Sequence, residues 1–283
     1  MYRGRTLTLS FPPFTRAVKW LILTNAAVFL VMALLGAFAP NLKDVVEYVL
    51  SLVPDRVLHG WIWQMVTYSF LHAGILHILF NMLGLWWFGS PLEMDWGKNR
   101  FLEFYVFCVM GAALTTIAVS YTGVGGITPQ TGTIGASGGV LGILMAFGML
   151  YGDREILLYF LLPIKAKYFV AGIAFFELIN AIQAARPGHG QGIAYVCHLG
   201  GLLFGFLYVK FVPRRGLMFK ASENYFNLRN SFYRWKRRRA AKKFEVYMRQ
   251  HDQEVHFDEH GNYIPPEDDR RKGNGGGKSG WVN

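Results

Sequence analysis

Ser137 stands in the run Gly132-Thr133-Ile134-Gly135-Ala136-Ser137-Gly138-Gly139-Val140-Leu141-Gly142, where most neighbours are too small to shield its hydroxyl. Earlier in the chain His72, His77 and Asn81 recur at helical spacing, and His198 lies in a later apolar run. A serine is a weak nucleophile until a base takes its proton, and His198 is the imidazole able to do so, apart from those of the earlier run. A carbonyl attacked this way develops an oxyanion, which needs fixed donors. His77 and Asn81, four residues apart on one helical face, can aim two donors at one oxygen. Backbone N–H groups around Ser137, unpaired at a helix start, can add to them. These residue types suggest acyl transfer. No aspartate follows to orient His198, so a pair of two is expected, with Glu177 in a structural or gating role. The plain alternative for Ser137 is a small residue in a packing seam, because glycines also let helices approach closely.

Apolar elements must hold these residues. The chain of 283 residues is 52% hydrophobic and 17% charged. Six runs approach or exceed the roughly 18 apolar residues that cross a bilayer: Trp20–Ala39, Leu71–Phe88, Phe101–Tyr121, Ile134–Tyr151, Tyr168–Ala185 and Ile193–Val212. The first ends in Ala37-Phe38-Ala39, which imitates a signal cleavage site. It is longer than an h-region of about 7–15 residues, and five runs follow, so it is expected to be retained. Cys108 and Cys197 fall in different runs and are expected as free thiols, and neither a metal nor a cofactor is expected.

Cations set the topology. Arg3, Arg5, Arg16 and Lys19 precede the first run; Lys98 and Arg100 sit in the loop Gly89–Arg100, and Arg154, Lys165 and Lys167 in the loop Gly152–Lys167. Seventeen of the 29 lie from Lys210 onward, and the remaining loops hold Lys43, Arg56 and Arg186. This bias predicts that both termini are cytoplasmic. The second, fourth and sixth runs then enter from outside, each with its polar residues in the first turns. At about 1.5 Å per residue these residues meet in one layer roughly 10 Å below the outer surface. Polar groups at such depth are costly and face a bundle interior or a water-filled cavity. Asn41–Phe70, with an amphipathic stretch and Trp61-Ile62-Trp63, is expected in the outer interface. Thr122–Thr133, uncharged and rich in glycine, is expected to be a flexible outer loop. Asn25 is expected to hydrogen-bond within the bundle, and Thr115 and Thr116 to bond back to carbonyls of their own helix.

Beyond Pro213 the chain changes character. Arg234-Trp235-Lys236-Arg237-Arg238-Arg239 and Lys242-Lys243 form a basic, aromatic-rich stretch, and Glu254–Asn283 has a disordered composition. Binding of anionic lipid head groups beside the membrane explains the basic run with fewer assumptions than nucleic-acid binding. His251, His256 and His260 match no strong metal-binding spacing.

At these residues the chain resembles the rhomboid family of intramembrane serine proteases, over roughly residues 17–212. Three motifs carry the resemblance: Gly135-Ala136-Ser137-Gly138, His72-x4-His77-x3-Asn81 and His198-x2-Gly201-x3-Gly205. It implies Ser137 as nucleophile, His198 as general base, His77 and Asn81 with Gly135 stabilising the oxyanion, and His72, Gly201 and Gly205 in support. Glu93 matches a structural acid in the loop after the second helix, and a gate at the fifth helix beside Glu177 is implied too. Three positions depart from the family's pattern. Gln64 follows Trp63 where arginine is common, so a salt bridge there is expected to be missing; Cys197 replaces an alanine, and Leu141 an aromatic that stacks on the histidine.

The expected fold is therefore all-α and polytopic, a six-transmembrane-helix rhomboid-like bundle with both termini cytoplasmic. Residues 1–16 form a cytoplasmic segment, 17–212 the membrane domain, and 213–283 a basic tail, partly helical to disordered. The expected activity is cleavage of transmembrane protein substrates near their outer end, in the inner membrane of a bacterium with the site open to the outer face. A non-catalytic rhomboid-like binder or chaperone is the alternative, but such relatives typically lack the serine or the histidine. A small transporter would line a route with polar residues, whereas here they gather at one depth.

Overall fold

The structure, a computed structural model, describes residues 12–124, 127–158, 162–184, 192–213, 216–250, 254–259 and 261–264, with the backbone alone at 157, 158, 162 and 217–228. Arg3, Arg5, Arg186, His251, His260 and everything after 264 lie outside the described residues. The chain forms two compact units, Met1–Gly216 and Leu217–Asn283.

In the first unit the order is α1 (Arg16–Phe38), α2 (Pro40–Leu50), α3 (Pro54–Leu58), α4 (Gln64–Thr67), a 3₁₀ turn (Tyr68–Phe70), α5 (Ile75–Trp96), α6 (Lys98–Ser120), α7 (Ser137–Leu150), β1 (Glu155–Leu158), β2 (Leu162–Lys165), α8 (Ala166–Ala184) and α9 (Gly192–Phe211). Among the described residues α1, α5, α6 and α9 are long and apolar enough to cross a membrane. The apolar α7 has 14 residues and α8 has 19. Leu30 on α1, Ile75, Leu76 and Phe80 on α5, and Phe175 and Phe176 on α8 are each at least 60% exposed. Lipid, not water, covers a surface of that kind, and the chain is an integral membrane protein.

Helix α6 is the packing centre. Phe101, Phe104, Tyr105, Cys108, Val109, Ala112 and Ala113 recur every three or four residues and are all buried. The Thr115 and Thr116 hydroxyls donate to the carbonyls of Gly111 and Ala112, each at 2.9 Å. Cys108 and Cys197 are free and buried. Asn25, also buried, makes the expected hydrogen bond within the bundle, donating to the Leu21 carbonyl of its own helix at 2.8 Å.

The second apolar run needs a larger correction. The helix is displaced from Leu71–Phe88 to Ile75–Trp96, which leaves His72 in the bend ahead of it. Its end passes through Pro91 and two acids, because both acids have partners. Glu93 is buried in α5, not carried on a loop, and receives the Ala17 and Val18 N–H groups at 2.7 and 2.9 Å together with the Thr15 hydroxyl. A carboxylate at a helix start satisfies donors that the helix itself cannot, and it complements the dipole, so Glu93 fastens α1 to α5. Asp95 accepts the Tyr151 hydroxyl. Charged residues that read as a loop thus continue the helix.

The segment after α1 is tied by an uncharged side chain. Gln64 is fully buried; its Oε1 accepts the Val53 N–H at 3.1 Å, and its Nε2 donates to Val49 O at 3.2 Å. Arg56 donates to Tyr48 O at 2.6 Å and covers the Tyr48 ring at 3.3 Å. The expected flexible loop Thr122–Thr133 is pinned at its end: Leu52 and Thr133 exchange two backbone bonds of 3.0 and 2.9 Å, and Asp55 N–H donates to Pro129 O at 2.9 Å. The loop after α7 forms an antiparallel pair, Glu155–Leu158 on Leu162–Lys165, so the all-α expectation is corrected here.

The second unit holds α10 (Leu217–Gln250) and the short pair β3 (His256–Phe257) and β4 (Tyr263–Ile264). Phe257 meets Phe244 of α10 edge-on, with ring centroids 6.2 Å apart. In the turn, Asp258 accepts the backbone N–H and the side-chain amide of Asn262 at 2.8 and 2.9 Å. Residues that read as disordered therefore include the paired strands β3 and β4, where Phe257 meets Phe244 of the helix and Tyr263 edge-on.

Candidate active site

The approach to Ser137 is built from backbone. After the Leu52–Thr133 bridge, the Gly135 N–H is donated to the Tyr68 carbonyl at 2.9 Å. Gly135 has φ +126°, and a Cβ there would lie 2.7 Å from His77 Nε2. Only glycine serves at such a backbone angle and so close to a ring. The chain then turns into α7, whose first internal bond runs from Val140 N–H to Ala136 O at 3.0 Å. The N–H groups of Ser137, Gly138 and Gly139 therefore lie in the first turn, without an acceptor inside the helix and at the positive end of its dipole.

Glycines bring α7 against α9. A Cβ on Gly201 would collide with the Gly138 carbonyl, and one on Gly205 would come within 2.6 Å of the Gly142 carbonyl oxygen. Two backbones touch at positions four residues apart on each helix, a close approach that small residues alone permit. Ser137 starts one of these helices and His198 lies two turns into the other, so the contact sets the distance between them. Gly201→Ala is expected to lower activity about 100-fold, the scale of a 1 Å misplacement of reacting groups. Gly172→Ala on α8, where a Cβ meets nothing within 4 Å, is expected to leave activity intact; comparing the cleavage rates of the two variants checks this.

Ser137 Oγ lies 2.8 Å from His198 Nε2, and His198 Nδ1 lies 2.8 Å from Glu177 Oε2 on α8. The His198 and Glu177 side chains are 21% and 13% exposed. Tyr195 meets the His198 ring edge-on, with centroids 6.3 Å apart, an aromatic neighbour supplied from the histidine's own helix where Leu141 could supply none. On α5, His77 Nδ1 accepts the Ala73 N–H at 3.4 Å, which leaves the proton of a neutral imidazole on Nε2, the nitrogen beside Gly135. One turn farther, Asn81 is buried, and its side-chain nitrogen has no partner among the described residues. The His72 ring stands edge-on to His77, with centroids 5.0 Å apart.

The structure thus brings Ser137 and His198 into hydrogen-bond contact and sets His77 beside the turn that precedes the serine. It does not bring the Gly135 N–H to the site, because Tyr68 holds it; the contribution of Gly135 is the room it leaves for His77, a correction that follows from the positive φ. Three features go beyond the roles read in the sequence. Glu177 touches His198, a partnership signalled only by the cost of burying an acid in an apolar span. Gln64 holds the segment after α1, and Gly84 on α5 faces α7, where a Cβ would lie 2.8 Å from Val140 Cγ1. Chemically, the arrangement offers a hydroxyl with a base in contact, and donors in helix and side chain nearby for a developing negative oxygen.

A family model described as Rhomboid domain matches residues 59–215, more than half of the chain. A curated relative, Rhomboid protease GlpG of Serratia proteamaculans (strain 568), is 28% identical over 204 residues, 72% of this chain and 64% of the relative. Proteins of the same name from Salmonella paratyphi A and Salmonella typhi are each 25% identical over 189 residues, 66% of this chain and 60% of theirs. The chain spans less than two thirds of the length of these relatives.

Proposed function

The chain belongs to the rhomboid family, and on that premise we propose that it is an intramembrane serine endopeptidase that cuts transmembrane segments of other membrane proteins near their outer ends. The observation that carries this reading is the 2.8 Å contact between Ser137 Oγ and His198 Nε2. In the proposed reaction Ser137 Oγ attacks the scissile carbonyl carbon as its proton passes to His198 Nε2. The carbonyl oxygen becomes an oxyanion that accepts from His77 Nε2–H, the Asn81 amide and the first-turn N–H groups of α7. Collapse breaks the C–N bond, and His198 returns the proton to the leaving amine. Water, deprotonated by His198, then releases the acyl group and restores the serine. Helix-weakening residues in the substrate help, because an intact helix hides its carbonyls.

We read α1, α5, α6, α7, α8 and α9 as six spans of residues 17–212, with both termini cytoplasmic and the site open to the outer face of a bacterial inner membrane. The distribution of cations supports this orientation, and the named relatives are bacterial. The tail, 213–283, is read as binding anionic head groups, supported by exposed Arg234, Lys236, Arg237, Arg238, Lys242 and Lys243 on α10; nothing favours nucleic acid over lipid.

Labelling of the purified protein with a fluorophosphonate probe tests the reading. Oγ displaces fluoride from phosphorus, forming an O–P bond while His198 takes the proton. Wild type is expected to label, and Ser137→Ala and His198→Ala are not. Equal labelling of all three would remove the serine-base reading and leave a binder.

A further inference from the structure

We propose that Glu177 is a positioning residue that sets the tautomer of His198, so that the reacting pair has a third member supplied by α8; this rests on the reading of Ser137 and His198 given above. A carboxylate can only accept hydrogen bonds. With Glu177 Oε2 at 2.8 Å, Nδ1 must carry the ring proton, which leaves the Nε2 lone pair facing the Ser137 hydroxyl, also at 2.8 Å. The alternative tautomer would turn an N–H toward Ser137 and remove the base. When Nε2 takes the serine proton, the ring becomes a cation, and the carboxylate on its opposite side stabilises that charge strongly in a medium of low dielectric. In this scheme the proton moves only between Oγ, Nε2 and the leaving nitrogen.

The setting of α8 favours this role over a gate. Phe175, Phe176 and Leu178 point outward at 66, 64 and 46% exposure, whereas the Glu177 side chain is 13% exposed and turned onto α9. An acid buried at such depth is expensive unless a partner holds it, and its partner here is the reacting imidazole. No residue near His198 in sequence offers a carboxylate, so the helix that follows the nucleophile in the chain supplies one from across the packing interface.

The test combines a small probe with a large substrate on the whole chain of 283 residues. Glu177→Gln keeps the shape of the side chain but puts an N–H₂ within reach of Nδ1, which favours the wrong tautomer. Both the fluorophosphonate labelling rate and kcat for a reporter transmembrane segment are expected to fall together by about 10²–10⁴-fold, the scale set when an orienting acid becomes an amide, with KM and the melting temperature unchanged. Glu177→Asp, which keeps the acceptor, is expected to retain more of both rates than Glu177→Gln. Wild-type labelling by Glu177→Gln with altered reporter cleavage would overturn the proposal in favour of a gate, since the small probe needs no lateral entry. Equal losses in the Gln and Asp variants with a lowered melting temperature would overturn it in favour of a structural role. If wild type labels no faster than Ser137→Ala, the serine-base reading itself fails and takes this proposal with it.

Discussion

Replacement of His198 by alanine is expected to slow cleavage of a reporter transmembrane segment by about 10⁴-fold or more, and Ser137→Ala by a similar factor, while the double variant loses no more than either alone. On the proposed mechanism the hydroxyl and the imidazole act as one unit: without Nε2 the serine keeps its proton, and without Oγ the base has nothing to activate. Whatever rate remains reflects substrate binding and the oxyanion donors, which both variants retain. Cleavage in reconstituted vesicles followed by mass spectrometry measures these rates, with thermal melting to verify folding. Losses that multiply in the double variant would show that the two residues serve separate steps.

Asn81→Ala is expected to lower kcat by about 10²–10³-fold, the usual effect of removing one oxyanion donor, with KM little changed. What distinguishes this prediction is its stability arm. The amide nitrogen of Asn81 is buried and unpartnered in the resting protein, and a buried donor without an acceptor is unfavourable. Its removal is therefore expected to leave the melting temperature the same or higher as turnover falls. A purely structural asparagine would behave the opposite way: the protein would melt earlier, and the fraction remaining folded would turn over normally.

How much of this was legible in the chain can be judged residue by residue. The run of small residues around Ser137 announces both a close helix contact and an uncovered hydroxyl, and the structure carries both, because Gly138 and Gly142 meet Gly201 and Gly205 at the same four-residue interval. The spacing of His77 and Asn81 likewise survives, since it is a local property of one helix. What was not legible depends on rotation between elements. Glu177 reads as an isolated acid until α8 is turned about its axis against α9. The C-terminal end of α5 runs past the expected span because charge reads as loop; Glu93 stays helical only because the start of α1, far away in sequence, supplies its donors. The hairpin after α7 was hidden for a related reason: four-residue strands pair through backbone, and Glu155 and Lys165, opposite each other in register, carry no periodic apolar signal. Gly135 reads as part of the oxyanion site from its place in a motif, whereas its amide is engaged by the Tyr68 carbonyl, to which no sequence pattern points.

The shortness of α7 has its own consequence. Fourteen residues reach about 21 Å at 1.5 Å per residue, against a hydrocarbon layer about 30 Å thick. Its far end meets the polar residues Asp153 and Arg154, which belong at a head-group boundary, so Ser137 starts about 9 Å inside the opposite one. On the proposed function the helix acts as a depth gauge, presenting Ser137 to a peptide bond about six helical residues from the end of a client's apolar stretch. Lengthening a client's apolar stretch residue by residue is expected to move the cut by the same number of residues, and a cut that stays with a fixed sequence would show that sequence, not depth, selects the bond.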